Sequence, residues 1–240
     1  MVRVPHRSIT VAFASGKPRQ AITKPGVHME HEVNEGASEV LRLQGLWAGE
    51  FGDEYTVRNN MAADGREPFW RSLLSKHPAR NVLEVGCNMG GNLHWISRMV
   101  PPHHVYGVDI NEQALASVRQ ALPGVNAVWS PARELPFRDR SFDLVFTTTV
   151  LIHQPTEAMP VVMSEVVRCS RKYVLCGEYY AEELTEVPYR GHRGALWKRD
   201  FGALYQQLFP ELRLLKEGFL PRKDGGWDDV TWWLFERTDV

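Results

Sequence analysis

Short apolar runs and stretches of helical spacing alternate along most of the chain. Apolar runs bounded by turn-forming residues cover Asn81–Val85, His104–Asp109, Val125–Trp129, Phe142–Phe146 and Tyr173–Gly177. Stretches with helical spacing lie between them at Asn92–Val100, Glu112–Leu122 and Thr156–Cys169. Nearly continuous apolar strands alternating with helices predict a parallel sheet with crossover helices on both faces. One more helix is predicted near Trp197–Leu208. Two last strands, Leu212–Gly218 and Val230–Glu236, are joined through 221–229 without a helix between them, so they pair antiparallel. The expected fold class is α/β: a seven-stranded sheet of five parallel strands finished by an antiparallel C-terminal hairpin.

Upstream of the sheet, Val40, Leu41, Leu43, Leu46 and Trp47 predict a short amphipathic helix. A second is predicted over Glu67–His77, with Phe69, Trp70, Leu73 and Leu74 on one side and Pro78 as its stop. The chain therefore divides into a basic, disordered tail over 1–36, an N-terminal helical cap over 37–78, and a main domain over 79–240 with an insertion at 179–197. The first 29 residues hold Arg3, Arg7, Lys17, Arg19 and Lys24, with no acid before Glu30. Their prolines and lack of helical period speak for a tail over a targeting sequence.

Composition narrows the class. In 240 residues, 28 Lys and Arg face 29 Asp and Glu, a net charge of −1 that is wrong for a strongly basic nucleic-acid binder. No apolar run approaches the roughly 18 to 20 residues of a membrane span. Cys87, Cys169 and Cys176 form neither a disulfide framework nor a cysteine-rich metal site. These features lead us to expect a cytoplasmic protein with no metal, nucleic-acid or membrane partner, either a monomer or a homodimer.

The most informative segment is Val82-Leu-Glu-Val-Gly-Cys-Asn-Met-Gly-Gly-Asn92: an acid near a strand end, a glycine-bearing turn, then a helix start. Glycines let the backbone approach a ligand closely. A dinucleotide turn has the spacing G-x-G-x-x-G. Here the glycines are Gly86, Gly90 and Gly91, so the second, phosphate-facing glycine is missing. Glu84 at the mouth repels a pyrophosphate and attracts a cation. An adenosyl cofactor with a sulfonium and an α-amino group suits this turn better. Asp109, at the end of the second strand, can accept hydrogen bonds from both ribose hydroxyls. Its alternative role is to cap the next helix, a task open to Asn111.

The set Glu84-x-Gly86-x-x-x-Gly90, Asp109, Ser130-Pro-Ala-Arg-Glu-Leu-Pro-Phe137 and Phe142-Asp-Leu-Val145 resembles class I S-adenosylmethionine-dependent methyltransferases. Several further segments are similar to the pseudaminic acid biosynthesis-associated methylases. They are Leu46–Tyr55, Val150-Leu-Ile-His153, Tyr189-Arg-Gly191, Lys198-Arg-Asp-Phe201 and Trp232-Trp-Leu-Phe-Glu236. The resemblance implies a Rossmann-like sheet with an N-terminal helical lid, and S-adenosylmethionine as cofactor. Gly86, Cys87, Asn88 and Gly90 would pass under its methionine part, with Cys87 a small filler, and Glu84 would order its amino group. Asp109 would hold the ribose and Ile110 the adenine, with Ala132 and Arg133 at the adenine edge. Thr147 and Thr149 would complete the wall after the fourth strand. Trp47, Tyr55 and Arg58 would close over the cofactor, Tyr55 and Arg58 as candidates for the methionine carboxylate. Asn88 replaces the usual middle glycine, and Pro131 stands where an Asp often reads the adenine amino group.

Methyl transfer needs alignment and exclusion of water; a hydroxyl acceptor also needs a base that acts during transfer. His153, after the fourth strand, and His192 are the candidate catalytic histidines. Tyr179, Tyr180, Tyr189, Arg190, Lys198 and Arg199 place aromatic and basic groups in and beside the insertion. That mixture suggests a small anionic acceptor such as a sugar acid, carboxylate or phosphonate. The expected function is O-methylation of such a metabolite. The alternatives are N-methylation, a nicotinamide oxidoreductase disfavoured by the glycine spacing, and a cofactor-binding partner protein without turnover.

Overall fold

The computed structural model describes residues 27–58 and 64–239, with side chains from Ser38 onward. The sheet is built from β1 (Val82–Val85), β2 (Val105–Asp109), β3 (Asn126–Trp129), β4 (Phe142–Thr148), β5 (Ser170–Glu178), β8 (Leu212–Leu220) and β9 (Val230–Arg237). Its order is β3-β2-β1-β4-β5-β9-β8. The first five strands pair in parallel and β9 joins β5 antiparallel. Strand order thus reverses between β1 and β4, and ligands of open α/β sheets bind beyond the strand ends at such a switch point.

Two apolar layers cover the sheet. On one face α6 (Met159–Cys169) and α7 (Phe201–Leu208) pack Val162, Met163, Val166, Phe201 and Tyr205 against Leu83, Val145, Val174 and Phe235. On the other, α3 (Glu67–Lys76), α4 (Gly91–Ile96) and α5 (Glu112–Ala121) pack Trp70, Leu93, Ile96 and Leu115 against Val82, Leu144 and Phe146. Polar contacts fix the bottom of the sheet: Asp143 accepts the backbone N–H groups of Arg80 (2.8 Å) and Asn81 (2.9 Å) and pairs with Arg171. The three cysteines are free and buried. No helix among the described residues is long and apolar enough to cross a membrane.

Three boundaries differ from expectation. The first helix, α1 (Val27–Ala48), begins inside the stretch assigned to a tail, so that assignment is corrected for 27–36; residues 1–26 lie outside the described residues. A distinct α2 (Glu50–Arg58) follows it. The helix expected over Trp197–Leu208 starts only at Phe201, because Asp200 caps it by accepting the Ala203 N–H. Trp197 and Lys198 instead form β7, paired with β6 (Thr185–Glu186), which folds the insertion back on itself.

Candidate active site

The turn from β1 into α4 is held from below: the N–H groups of Gly86 and Cys87 both donate to the Val108 carbonyl, at 2.8 and 2.9 Å. Gly86 adopts φ +75°, and a Cβ there would stand 2.3 Å from Val150 Cγ2. The position therefore demands glycine on conformational and steric grounds together. Asn88 takes φ 44°, the left-handed backbone its short amide tolerates. Above this turn opens a cavity of about 490 Å³.

Glu84 lies in its wall, 2% exposed. Its Oε1 accepts from Asn92 Nδ2 at 2.6 Å, while its buried Oε2 has no hydrogen-bond partner. Burial pushes this carboxyl up to about 8, against the opposing pull of Asn92 and Arg66. Asn92 is the hub: its Oδ1 also accepts from Arg66 Nη1 (3.1 Å) and Trp70 Nε1 (3.2 Å). Arg66 in turn donates from Nε to the Gly226 carbonyl (2.6 Å) and lies over the Trp227 ring at 4.8 Å. A chain of contacts thus joins the segment before α3, the loop between β8 and β9, and the acid at the turn.

Asp109 also faces the cavity. Its Oδ2 accepts the Asn88 N–H (2.7 Å) and its Oδ1 the Asn111 N–H (2.9 Å). Desolvation raises its pKa, with these backbone donors opposing the rise. Asn111 caps α5 through Ala114 N–H, which frees Asp109 from that task. The Asn111 amide also donates to Asp53 Oδ1 (2.8 Å) and the Trp47 carbonyl (3.3 Å), fastening α1 and α2 over the cavity. Gly52 allows that approach, since a Cβ there would fall 1.9 Å from the Trp47 carbonyl oxygen.

Aromatic groups line the remaining wall. Trp47 meets Tyr55 edge-on at 5.3 Å and stacks obliquely on His153 at 4.4 Å; Tyr189 lies 5.3 Å from the same imidazole. Burial drives the Tyr55 hydroxyl up to about 12. His153 is buried, and its Nδ1 is 2.6 Å from the Ala195 carbonyl. A carbonyl can only accept, so Nδ1 carries the proton and Nε2 keeps a free lone pair. Desolvation holds the ring's pKa down to about 4, and the imidazole is neutral at physiological pH.

Of the residues singled out in the sequence, Trp47, Tyr55, Glu84, Gly86, Cys87, Asn88, Asp109, Ile110, Ala132, Arg133, Thr149, His153 and Tyr179 line this cavity. Gly90 sits just behind as the left-handed N-cap of α4. Cys87 is a buried thiol whose pKa is raised by desolvation, consistent with a filler. The others need correction. Arg58 points outward to Glu54 (2.9 Å), and Arg66 supplies the guanidinium in the wall instead. Thr147 is buried behind the strand beside Cys176 and Glu178, whereas Thr148 lines the cavity. His192 packs on Phe51 at 4.9 Å, in a separate open groove. Tyr180 is exposed near Trp233, and Arg190 is exposed on a tight turn at φ 49°. Lys198 lies over the outer Tyr179 ring at 5.7 Å, and neither it nor Arg199 lines the cavity. Residues the sequence reading missed are Arg66, Asn92, Thr56, Trp227 and Asp228.

The arrangement fits a ligand with a cationic amine and a vicinal diol. Glu84 Oε2 is a desolvated acceptor without a donor, and Asp109 retains lone pairs on both oxygens. Residues 82–172, which hold both acids and His153, match the family model of the methyltransferase domain. This segment of the chain is a methyltransferase domain.

Its relatives in sequence share only part of their length with it. A probable phthiotriol/phenolphthiotriol dimycocerosates methyltransferase 2 of Mycobacterium ulcerans is 34% identical over 104 residues, 42% of this chain and 38% of that protein. A phthiotriol/phenolphthiotriol dimycocerosates methyltransferase of Mycobacterium tuberculosis is 40% identical over 68 residues, 28% of this chain and 25% of that protein. Solved methyltransferase structures share the fold over most of the chain. The 1,6-didemethyltoxoflavin-N1-methyltransferase of Burkholderia thailandensis, with bound substrate and S-adenosylhomocysteine, superposes with TM-score 0.60 at 17% identity. That match covers 92% of this chain and 94% of its own. Magnesium protoporphyrin IX methyltransferase of Synechocystis, with bound S-adenosylhomocysteine, gives 0.60 at 14% identity, covering 83% of this chain and all (100%) of its own.

Proposed function

We propose that the methyltransferase domain uses S-adenosylmethionine to methylate a hydroxyl oxygen of a small metabolite, as in the biosynthesis of a sugar acid or similar compound. The observation that carries this reading is the convergence on one cavity of Glu84 with its unpartnered Oε2, Asp109, and the neutral imidazole of His153. The cofactor, when bound, supplies an activated methyl group on a sulfonium. Glu84 and Asp109 would hold its amino group and ribose, and Arg66 would face its carboxylate.

The chain's own contribution is positioning and proton handling. Alignment of reacting groups in a water-excluded site is worth up to about 7–11 kcal/mol of barrier. Trp47, Tyr55 and Tyr189 exclude water from the side where His153 lies. His153 Nε2 would accept the hydroxyl proton while Nδ1–H stays on the Ala195 carbonyl. Burial opposes an imidazolium at this place. The opposition is relieved during the reaction because the site gives up one cationic charge as it gains another. An acceptor that is already ionised would need no such base, so a desolvated neutral imidazole in the wall favours a hydroxyl. Anionic groups elsewhere on the acceptor would meet Arg222, which lines the cavity, instead of Arg190, Lys198 or Arg199.

Calorimetry with S-adenosylhomocysteine tests the cofactor assignment: the wild type binds, and Asp109→Ala lowers affinity beyond detection. Unchanged affinity in that variant would overturn it. For the acceptor, S-adenosylhomocysteine release is followed across hydroxy acids, sugar acids and phosphonates. Hydroxyl-bearing compounds should turn over, with His153→Ala slower by about 10²–10⁴-fold, the usual range for loss of a general base. Near-normal turnover in that variant contradicts the base.

A further inference from the structure

We propose that Glu178 is a positioning residue for this reaction, its buried carboxylate gripping the backbone of the turn that carries His153. The inference rests on the reading of His153 as the base. Glu178 ends β5, is fully buried at 0% exposed, and does not line the cavity. Its Oε1 accepts the Val150 N–H and its Oε2 the Ile152 N–H, each at 3.3 Å. Both donors belong to the short segment 149–153, which leaves β4 through Thr149 at φ 55° and closes as a single 3-10 turn over Leu151–His153.

Leu151 and Ile152 anchor the segment in the apolar core, and its further ties include backbone hydrogen bonds and the His153–Ala195 contact. Thr149 N–H donates to the Gly177 carbonyl, one residue before Glu178, and His153 N–H closes the turn on Val150. The end of β5 thus holds the segment at three amides. Two site walls hang from it: Val150 packs against Gly86 in the cofactor turn, and His153 faces the cavity. A shift of the segment would move the imidazole away from Ala195 and open the Val150–Gly86 contact together.

A purely space-filling role does not call for an acid here. Burying a carboxylate is costly unless hydrogen bonds compensate, and an apolar side chain of similar volume would fill the space more cheaply. What the carboxylate alone offers is two acceptor oxygens, one for each amide. Desolvation raises the Glu178 pKa to about 7, and the amides of 150–152 together with Thr147 pull it back. Neither Glu178 nor any other charged side chain contributes to the depressed pKa of His153, which follows from burial and is opposed by the Ala195 carbonyl. Glu178 therefore acts on His153 through the backbone.

The test uses the full chain with ¹⁵N-labelled histidine, alone and with S-adenosylhomocysteine as the probe. In the wild type, His153 shows the neutral Nδ1–H tautomer, with that proton slow to exchange. Glu178→Gln keeps one acceptor and so loses one of the two amide contacts; Glu178→Ala loses both. The His153 Nδ1–H exchange rate should rise by about tenfold or more in Glu178→Gln, and further in Glu178→Ala if it folds. His77, His94 and His104 signals should stay in place, while S-adenosylhomocysteine affinity should fall with the His153 change, because Val150 on the same segment packs against Gly86 of the cofactor turn. A Glu178→Gln protein whose His153 signal and exchange match the wild type overturns the proposal, as does equal disturbance of all four histidines, which marks general destabilisation. Failure of the wild type to bind S-adenosylhomocysteine would instead sink the functional reading and leave the His153 signals to decide this one.

Discussion

Glu84 gives the site a distinctive proton balance. In the free protein its carboxyl titrates near 8 because it is desolvated and has one unpartnered oxygen. A ligand ammonium at that oxygen would favour the ionised form, so binding S-adenosylhomocysteine at pH 7 should release up to about one proton. Affinity should rise with pH until it levels off above 8. At pH 6 the cost of deprotonating Glu84 is about 3 kcal/mol, or on the order of 100-fold in affinity relative to that plateau. Stability follows the opposite direction. A carboxyl whose pKa is raised from 4.5 to about 8 by folding contributes stability that is full below 4.5 and lost as pH rises through 8. At about 1.36 kcal/mol per unit, the loss reaches at most about 5 kcal/mol in the ligand-free protein. The assay is calorimetry between pH 6 and 9 in buffers of differing ionisation enthalpy, with Glu84→Gln as control. Buffer-independent heats and a flat affinity profile in the wild type would refute the reasoning.

Other predictions follow from single contacts. Gly86→Ala forces a Cβ to within 2.3 Å of Val150 at φ +75°, so thermal unfolding should show a loss of about 1–3 kcal/mol, and S-adenosylhomocysteine binding should fall with it. Arg66→Ala should weaken S-adenosylhomocysteine binding by about 10- to 100-fold by calorimetry, since charge-assisted contacts are worth about 1.5–3 kcal/mol. Arg58→Ala, which removes an outward helical ion pair, should change neither affinity nor melting temperature measurably. Asp143→Ala leaves two amides and Arg171 without their acceptor and should cost about 1–3 kcal/mol in denaturant unfolding, with cofactor affinity unchanged.

Much of the sheet was legible because its strands are continuous apolar runs of strand length separated by stretches of helical spacing, whereas their order in the sheet comes from the structure. The turn at 86–90 was legible because conformation dictates its residues: Gly86 and Gly90 have positive φ, and Asn88 tolerates it. Asp109 and Asn111 could be separated because only one of the two needs to cap α5. The cavity's far wall was not legible. Arg66 and Trp227 come from opposite ends of the chain and meet only through tertiary packing, without local periodicity to mark either. Arg58 looked the better cation because it lies in the aromatic lid segment, yet its place on α2 turns it toward Glu54. Thr147 was misplaced because strand alternation puts its neighbour Thr148 on the cavity side, and positive φ at Thr149 then breaks the alternation. The basic residues of the insertion misled through composition. Their pattern is mixed, but Tyr180 and Arg190 face solvent while Tyr189 and Ala195 pack onto His153.

A crystal structure of the full chain with S-adenosylhomocysteine measures the central claim most directly. The account predicts the ligand in the 490 Å³ cavity, its amino group on Glu84 Oε2, both ribose hydroxyls on Asp109 and its sulfur on the side of His153. Density elsewhere, or a pose that leaves Glu84 Oε2 without a donor, would contradict it.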